Sequence, residues 1–463
     1  MKNAMFESYE AYKYSGVEWI DAIPSHWVNL RLKDIIAKLE SGVSVNASDE
    51  PVEGGNIGVL KTSCVGKDKF LPQQNKSVWS TEIDRVCVPV RAGRIIISRM
   101  NTPQLVGASA YIPKDYPNLF LPDRLWQTVF FANAKLNPKW LSFLIGCSAF
   151  RFLLSTLATG TSPSMKNLGQ EKLLNIELPF PSLPEQIAIA TYLDTKTAQI
   201  DLKIDLLSQK AVQYGKLKQS IINETVTRGL DKTVAMKDSG VEWIGEVPEH
   251  WGVSRLKDVG FLYSGLTGKS GDEFTEENQY SSPFVPFTNI ANNFYLSTSS
   301  LKTVVVWPNE KQNVVRKNDL FFLMSSEDYA DLGKCSLLID DMTRATYLNS
   351  FCRGFRFYNN EINPLYINYL LHSSAYRANL SNEGKGFTRI NLKIEKINDI
   401  KLVVPPKLEQ TAIATYLDTQ TAQIDQIITT INTQIDKLKE LRKTLINEVV
   451  TGKIKVLQEG KTV

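Results

Sequence analysis

The chain has 463 residues, enough for two to four domains, and its apolar share of 43% and charged share of 22% are typical of globular proteins. The formal net charge of +4 permits a polyanionic partner without requiring one. A membrane-spanning helix is not expected, since no run of about 18 apolar residues occurs, and the five scattered cysteines are expected to be reduced core thiols in the cytoplasm.

The first element in chain order is a phrase that the chain uses twice. SGVEWIDAIPSHWVNLRLKDI (Ser15–Ile35) returns as SGVEWIGEVPEHWGVSRLKDV (Ser239–Val259), with an offset of 224 residues. A second pair, EQIAIATYLDTKTAQID (Glu185–Asp201) and EQTAIATYLDTQTAQID (Glu409–Asp425), has the same offset. The sequence therefore predicts one unit of about 224 residues used twice. Its repeated tryptophans, Trp19 and Trp243, are predicted packing anchors.

Between the repeated blocks lie two divergent lobes, residues 1–180 and 231–404. VCVPV, RIIISRM, LKTVVVW and NDLFFLM are typical of β-strands, and Asn137–Leu154 and Asn363–Leu380 of amphipathic helices with proline near the start. The first lobe carries 20 Lys and Arg against 16 Asp and Glu, and the second 19 against 21. Neither lobe is basic enough to indicate a generic DNA clamp.

Each unit closes on a long helical segment that follows a proline-rich string, PFPSLP or VVPP. Glu185–Thr227 contains no proline, and apolar residues recur seven apart in both copies; they are Ile200, Leu207, Tyr214 and Ile221, then Ile424, Ile431, Leu438 and Leu445. About 43 residues of helix extend roughly 65 Å. We expect the two helices to pair antiparallel and to bridge the lobes, with an ordinary core helix in each domain as the alternative.

Signals for catalysis are incomplete. GLTGKS (Gly265–Ser270) resembles a phosphate-binding loop, but Tyr263 stands where its first glycine is required. HExxH, GxGxxG and the Asn-Pro-Pro-aromatic motif of adenine amino-methyltransferases do not occur, and His26 and His250 lie in repeated Pro-x-His-Trp frames that indicate a structural role. The sequence predicts no catalytic site and no metal site.

The ordered double set of SGVEWI, P-x-HW, RLKD and EQ-x-AIATYLD-x-TAQID resembles the specificity subunit of type I restriction–modification systems over nearly the whole chain. The resemblance implies an α+β fold with two mixed α/β target recognition domains, related by pseudo-two-fold symmetry and joined by two long antiparallel coiled-coil helices. The implied domains are residues 1–180 and 231–404 for target recognition, 181–230 for a central conserved helical region, and 405–463 for a C-terminal one.

The same resemblance implies the function. Each variable domain would read one half of a bipartite double-stranded DNA target, and the helices would set the spacing and dock two modification (methyltransferase) subunits. A restriction subunit would cleave unmodified DNA. The chain would be a non-catalytic, cytoplasmic protein without a cofactor of its own, while S-adenosylmethionine, ATP and Mg would belong to partner subunits. The residues leave two alternatives open, a structural coiled-coil scaffold and a self-contained DNA-modifying enzyme.

Site residues are predicted from matched positions. Arg and Lys side chains pair with guanine edges, and Asn and Gln with adenine. Loops just before the long helices contain the first candidates for DNA contact, Lys166 and Asn167 in one lobe and Arg389 and Asn391 in the other. Further candidates, whose alternative is a structural or merely exposed role, are Lys61, Thr62, Arg99, Arg124, Thr288, Asn289, Ser325 and Arg344. Subunit docking is predicted at Tyr192, Asp194, Tyr416 and Asp418, whose alternative is helix packing or capping.

Overall fold

The computed structural model describes residues 7–66, 69–162, 164–275, 277–386 and 389–456. These residues form two units. Unit 1 comprises the described residues of Met1–Leu207 and Thr433–Val463, and unit 2 those of Ser208–Asn432. Each unit is a mixed α and β structure that contains part of both long helices.

Unit 1 begins with strands that alternate with short helical turns. Its strands are β1 (Tyr12–Val17), β2 (Ile20–Pro24), β3 (Val28–Arg31), β4 (Ile36–Ser41), β5 (Gly58–Leu60), β6 (Asn75–Ser77), β7 (Pro89–Val90), β8 (Ile95–Ser98), β9 (Met100–Asn101), β10 (Ser109–Tyr111), β11 (Tyr116–Phe120), β12 (Leu125–Phe130), β13 (Thr159–Ser162), β14 (Met165–Asn167) and β15 (Glu177–Phe180). Its helices are α1 (Pro138–Gly146), α2 (Ser148–Leu157), α3 (Gln170–Leu174) and the first half of α4 (Leu183–Arg228), with 3-10 turns at Leu32–Asp34, Thr62–Val65 and Ser80–Arg85.

Unit 2 repeats this order. Its strands are β16 (Met236–Asp238), β17 (Glu246–Pro248), β18 (Gly252–Arg255), β19 (Gly260–Ser264), β20 (Ser281–Val285), β21 (Lys302–Val305), β22 (Leu320–Leu323), β23 (Ser325–Ser326), β24 (Cys335–Leu337), β25 (Tyr347–Leu348), β26 (Cys352–Phe357), β27 (Ile390–Asn391) and β28 (Lys401–Val404). Its helices are α5 (Leu256–Val259), α6 (Phe287–Asn292), α7 (Pro364–His372), α8 (Ser374–Asn382), α9 (Ile394–Asn398) and the first part of α10 (Lys407–Val450), with 3-10 turns at Asp272–Phe274 and Thr298–Ser300.

The two units share the strand order of their main sheet. A four-stranded antiparallel sheet runs in the order β10-β8-β12-β4 in unit 1 and β24-β22-β26-β19 in unit 2. A second sheet contains one parallel pair in each unit, β5 with β11 and β20 with β25. The central strands β8 and β22 are buried along their length, IIIS and LFFL, because both of their faces are covered. Divergent sequences thus form the same scaffold.

Helices α1 and α2 pack their apolar faces into the unit 1 core. Trp140, Leu144 and Phe150 are fully buried there. No single helix in the described ranges has the length and apolar content to cross a membrane, although α1 and α2, which meet at a bend of 69°, pass that test as a pair.

The long helices confirm the predicted segments, since α4 and α10 begin within two residues of Glu185 and Glu409. Within unit 1, Leu193 of α4 and Val449 of α10 are buried in one core, and Arg442 pairs with Asp201 at 3.1 Å. Along this contact the residue numbers rise on one helix while they fall on the other, so the two segments run antiparallel.

Unit 2 contains the equivalent contact. Val226 and Leu417 are buried together, and Lys218 Nζ lies 2.6 Å from an Asp425 carboxylate oxygen. Since Lys218 and Arg442 are 224 residues apart, as are Asp201 and Asp425, one ion pair occurs in each unit at matched places. Both pairs are partly exposed, so they contribute more to the register of the helices than to stability.

A repeated histidine and glutamate are in contact in each unit, and in unit 1 a tryptophan joins them. His26 Nε2 lies 3.0 Å from Oε1 of Glu185, which also accepts a hydrogen bond from Trp27 Nε1 at 3.2 Å. His250 Nε2 lies 2.7 Å from Glu409 Oε2 in unit 2. The structural role predicted for both histidines is confirmed, because each fastens the start of a lobe to the start of a long helix.

The repeated glutamine that follows this glutamate is buried, and both its side-chain oxygen and its side-chain nitrogen form hydrogen bonds. Gln186 accepts a hydrogen bond from the Asn137 amide at 2.8 Å, and Gln410 does so from the Asn363 amide at 2.8 Å. Each also donates to a proline carbonyl at 2.9 Å, that of Pro181 or its counterpart in unit 2. A buried amide of this kind is costly to leave unpaired, so it fixes how α1 and α7 meet the long helices.

Replacing Glu185 by Gln should lower the free energy of unfolding by about 1 kcal/mol at neutral pH. Burial would raise the pKa of Glu185, but hydrogen bonds from His26, Trp27 and Ser182 outweigh it and hold the pKa below its ordinary value. The stabilisation is therefore present above the unfolded-state pKa and is lost as pH falls through the folded-state pKa.

Urea unfolding at several pH values measures this effect, and the two proteins should converge in acid. Glu177→Gln is the matched control, since Glu177 forms an exposed ion pair with Arg31 and should change stability little. A constant difference between Glu185→Gln and the unmodified chain down to acid pH would contradict the role of the carboxylate.

The SGVEWI phrase is a turn followed by an anchor. Gly16 and Gly240 have φ values of 72° and 71°, which a side chain would disfavour. Trp19 packs edge-on against Phe150 with ring centroids 5.1 Å apart, and Trp243 packs against Tyr376 at 4.8 Å. Both predicted packing anchors are confirmed.

The described ends of the chain meet in unit 1. The Lys455 amide donates to the Glu7 carbonyl at 2.8 Å, and Tyr12 Oη donates to the Lys453 carbonyl at 3.3 Å. Residues 457–463 lie outside the described residues. The C-terminal segment therefore contacts the N-terminal one at Glu7 and Tyr12.

Candidate nucleic-acid interface

In unit 1, three separate segments meet at the end of the central sheet. Arg99 follows β8, and its amide donates to the Arg124 carbonyl, just before β12, at 3.0 Å. The Leu168 amide, just after β14, donates to the Arg99 carbonyl at 2.9 Å. Backbone hydrogen bonds therefore bring together four predicted DNA-contact residues, Arg99, Arg124, Lys166 and Asn167.

The side chains at this corner combine a cation, an amide and an aromatic ring. Arg99 Nε donates to Asn167 Oδ1 at 3.4 Å, and the Arg99 guanidinium lies 5.8 Å from the Trp126 ring centroid. Lys166 is paired across the ladder with Asn101, and Arg124 is exposed. Guanidinium, ammonium and carboxamide groups on a rigid sheet end are the groups that read base edges.

Unit 2 builds the same corner with other residues. The Met324 amide donates to the Phe351 carbonyl at 3.2 Å, and the Leu392 amide donates to the Met324 carbonyl at 2.9 Å. Asn391 is paired with Ser325, as Asn167 is with Met100. Asn167 and Asn391 therefore occupy equivalent positions, as their offset of 224 predicts.

The unit 2 corner exposes an aromatic ring under a cation. The Arg389 guanidinium lies 4.2 Å from the centroid of Phe351, a side chain that is 45% exposed. Asn391 Nδ2 donates to the Arg389 carbonyl at 3.3 Å. Ser325 Oγ is buried without a hydrogen-bond partner among the described residues, and Arg353 shares with it a groove of about 410 Å³.

Sequence reasoning missed three residues at these corners, Trp126, Phe351 and Arg353. Trp126 and Arg353 lie in β12 and β26, and Phe351 directly precedes β26. Trp126 is 2% exposed and belongs to the core, so it supports Arg99 from below, whereas Phe351 is exposed. Their signal was the equivalence of the two strands, which becomes visible only once the sheet order is known. Pro163, Phe387 and Thr388 of the two predicted loops lie outside the described residues.

The remaining predicted contacts lie elsewhere in the two lobes. Lys61 Nζ donates to the Asp49 carbonyl at 2.9 Å, and Thr62 begins the adjoining 3-10 turn. Arg344 donates to the Ser281 carbonyl at 3.0 Å, so both cations hold loops of their own lobe.

Two neighbouring candidates in helix α6 differ in exposure. Thr288 is exposed, whereas Asn289 is 2% exposed, donates to the Ser297 carbonyl at 2.8 Å and accepts from the Ser297 amide at 3.0 Å. The Asn289 carboxamide is therefore buried and already hydrogen-bonded, so it stabilises its own loop and is not available to a base.

The predicted docking carboxylates have partners inside their own units. Asp194 pairs with Lys139 of α1 at 2.7 Å. Asp418 accepts hydrogen bonds from Tyr295 and from Tyr369, the latter at 3.3 Å. Both carboxylates therefore fasten a long helix to its own lobe. Tyr192 and Tyr416 are partly exposed, and Tyr416 at 39% is accessible to a partner.

The GLTGKS segment has no free cation for a phosphate. Lys269 is 2% exposed in its side chain and is held by Glu273 at 2.8 Å and Glu310 at 2.6 Å. In the described part of the chain, no group of three or more His, Cys, Asp or Glu side chains is placed to hold a metal ion.

A family model described as "Type I restriction modification DNA specificity domain" matches the chain twice, at residues 24–209 and 248–437. The chain is 24% identical over 444 residues to the type I restriction enzyme MjaVIII specificity subunit of Methanocaldococcus jannaschii, covering 94% of each. It is 26% identical over 210 residues to the EcoKI specificity subunit of Escherichia coli, covering 45% of this chain and 44% of that one.

Two solved structures resemble the fold. One, from a study entitled "Structural basis underlying complex assembly and conformational transition of the type I R-M system", has a TM-score of 0.67 and 17% identity over 93% of this chain and 99% of that one. The HsdS subunit from Thermoanaerobacter tengcongensis has a TM-score of 0.51 and 16% identity over 93% and 98%.

Proposed function

Because the chain belongs to the type I restriction–modification DNA specificity family, we propose that it selects the DNA sequence on which a type I complex acts. Each unit reads one half of a bipartite target. The single observation that carries this proposal is the corner at the end of the central sheet, which the two units build with the same backbone hydrogen bonds and different side chains.

The proposed contacts on DNA follow from exposure and chemistry. Arg99, Arg124, Lys166 and Asn167 read one half-site in unit 1, and Arg389 and Asn391 read the other, together with Phe351 and Arg353. Ser325, whose Oγ is buried, pairs with Asn391 and positions it. Thr288 and Thr62 remain candidates, whereas Asn289, Lys61 and Arg344 already hold loops. Since neither lobe carries a large positive charge, generic phosphate attraction is modest and base contacts carry much of the selectivity.

The proposed division of labour leaves chemistry to partners. Modification subunits dock on the helical regions 181–230 and 405–463, near Tyr192 and Tyr416, and supply S-adenosylmethionine for methylation. Restriction subunits supply ATP-driven and Mg-dependent cleavage. This chain holds no cofactor and acts in the cytoplasm, where its DNA is. Residues 1–180 and 231–404 are the proposed recognition domains.

Mapping methylated adenines in a host with and without this gene tests the proposal. The expected result is a single bipartite motif that loses methylation in the absence of the gene. An unchanged methylation pattern in a host with active modification subunits would favour the scaffold alternative. Methylation or cleavage by the purified chain alone would establish the self-contained enzyme and overturn the proposed division of labour.

Asn391→Ala should weaken methylation at the second half-site. Loss of a bidentate adenine contact is worth about 1–3 kcal/mol, so we expect a reduction of about 10- to 100-fold for the cognate sequence. Selectivity at one base pair should relax while the first half-site is read as before. Initial methylation rates on duplexes that carry every base at each position measure this change.

The matched control is Asn360→Ala, an exposed asparagine in the turn before α7. It should leave the rates unchanged. If Asn391→Ala altered both half-sites equally, or neither, Asn391 would not be a base contact of unit 2.

A further inference from the structure

Because the two units repeat one architecture, positions in matched elements correspond to each other. Asn137 and Asn363 both cap their helices and both donate to the buried glutamine of the EQ pair. They therefore align the sequence of α1 with that of α7 at an offset of 226 residues. Three positions of these helices therefore correspond: Ser142 with Asn368, Phe143 with Tyr369, and Gly146 with His372.

In unit 2 the space between the lobe and the long helix is filled with rings. Phe294 lies 4.5 Å from Tyr369 and 4.7 Å from His372, measured between ring centroids. Tyr295 and Tyr369 both donate to Asp418, and Tyr369 Oη lies 2.9 Å from Thr421 Oγ1. Burial raises the pKa of Tyr369 to about 12, so its phenol stays protonated.

In unit 1 the corresponding positions carry less volume. Glycine replaces the imidazole ring, serine replaces the carboxamide, and phenylalanine lacks the phenol oxygen. The result is a cavity of about 290 Å³, bordered by Phe70, Tyr111, Phe143, Gly146, Asp194 and Thr197. Tyr111 is the counterpart of Leu337 of β24, so its phenol does not take the place of the Tyr369 phenol. A Cβ atom added at Gly146 would meet nothing within 4 Å. Asp194 and Thr197, the counterparts of Asp418 and Thr421, are still present.

A second observation comes from strand β10, whose residue Tyr111 borders the cavity. Ser109 of β10 is the counterpart of Cys335 of β24, since they pair with Ile97 and Phe322 at matched positions of the central sheet. Cys335 Sγ lies 3.3 Å from Asn368 Oδ1 and 3.6 Å from His372 Nδ1. Ser109 is 2% exposed, and its Oγ has no hydrogen-bond partner among the described residues.

We propose that the unit 1 cavity is a binding site for a single aromatic ring that carries a hydroxyl group. The site takes from outside the phenol that unit 2 supplies from its own chain. An engineered apolar cavity of about 150 Å³ holds benzene, so the larger volume here accommodates one substituted ring. This inference does not depend on DNA recognition.

The charges around the cavity narrow the ligand class. Three cations, Lys69, Lys139 and Arg442, border the cavity. Two carboxylates oppose them: Asp194, which pairs with Lys139, and Asp201, which pairs with Lys69 and Arg442. One positive charge is in excess, which disfavours a cationic ring and tolerates an acidic one. The ligand class is therefore a neutral phenol or a hydroxylated aromatic acid, whose hydroxyl shares Asp194 with Lys139 and whose ring packs on Phe70 and Phe143.

Titration calorimetry of the full chain with p-cresol and with 4-hydroxybenzoate tests the site. We expect saturable binding of one ring per chain and a melting temperature that rises with ligand concentration. Benzylamine, a cationic ring of similar size, should bind at least tenfold more weakly. Failure of both phenols to saturate at millimolar concentration would overturn the proposal.

Gly146→His is the decisive variant, since it installs the unit 2 ring in open space. It should fold and weaken phenol binding at least tenfold, whereas Gly146→Ala should retain binding. Equal binding by Gly146→His would place the ligand elsewhere and overturn the proposal. His372→Gly, made in the unmodified chain, should open the counterpart cavity and raise the stoichiometry to two.

The ring has two possible sources, a free small phenol or a tyrosine of a partner subunit. Repeating the calorimetry on the complex with modification subunits distinguishes them. Persistent binding of p-cresol supports a free ligand, and competition between p-cresol and complex assembly supports a partner tyrosine. Assembly of the complex with each variant gives a second readout. If a partner tyrosine fills the cavity, the Gly146→Ala chain should assemble and lose p-cresol binding in the complex, whereas the Gly146→His chain should fail to assemble.

Discussion

Replacing Ile431 by Asp should lower the free energy of unfolding by about 3–5 kcal/mol, because it buries a charge without a partner. Ile431 is 5% exposed in α10, and Ile424 and Ile435 on the same face are 5% and 7% exposed. The predicted apolar seam of this helix is therefore buried. A carboxylate there must lose its hydration or force the helix away from its neighbours.

Ile427→Asp is the matched control, since Ile427 lies one turn earlier on the same helix and is 37% exposed. It makes the same chemical change on a face that water reaches and should cost less than about 1 kcal/mol. Chemical denaturation followed by circular dichroism measures both variants. Equal stabilities of Ile431→Asp and Ile427→Asp would show that the seam does not hold the helix.

Exchanging the interior of the first lobe for that of a relative should replace one half of the methylated sequence and leave the other half unchanged. The residues that form the unit 1 corner all lie between Arg99 and Leu168. An exchange of residues 36–175 keeps the His26–Glu185 contact and SGVEWI phrase, so the new lobe meets the same frame.

The effect should be complete, because each mismatched base pair costs about 1–3 kcal/mol and several change together. Sequencing of methylated adenines in a host that carries the chimera and modification subunits measures the outcome. The reciprocal exchange within 231–404 is the control and should change only the other half. An active chimera with both halves altered, or neither, would exclude independent reading by the two units.

The repeated parts of the sequence predicted the frame well. Helix bounds, the antiparallel contact in each unit, the structural histidines and the two tryptophan anchors followed from matched residues such as Trp19 and Trp243. These features depend on local pattern and on residues that contact each other at a constant offset. The repeated scaffold could therefore be predicted from the sequence alone.

Prediction of the recognition surface was less complete for a physical reason. The offset of 224 holds for Asn167 and Asn391 but becomes 226 at Ser109 and Cys335, because the lobes contain insertions. Exposure inside a lobe depends on sheet packing rather than residue type. Asn289, polar in sequence, is therefore buried in its loop, while Phe351, apolar in sequence, is exposed beside Arg389.

The contact between Lys455 and Glu7 has a consequence for synthesis on the ribosome. Unit 2 is one continuous stretch, whereas unit 1 needs residues from both chain ends. The first lobe emerges early but cannot complete its core until Val449 and Lys455 have left the exit tunnel. Nascent chains therefore complete the second unit before the first.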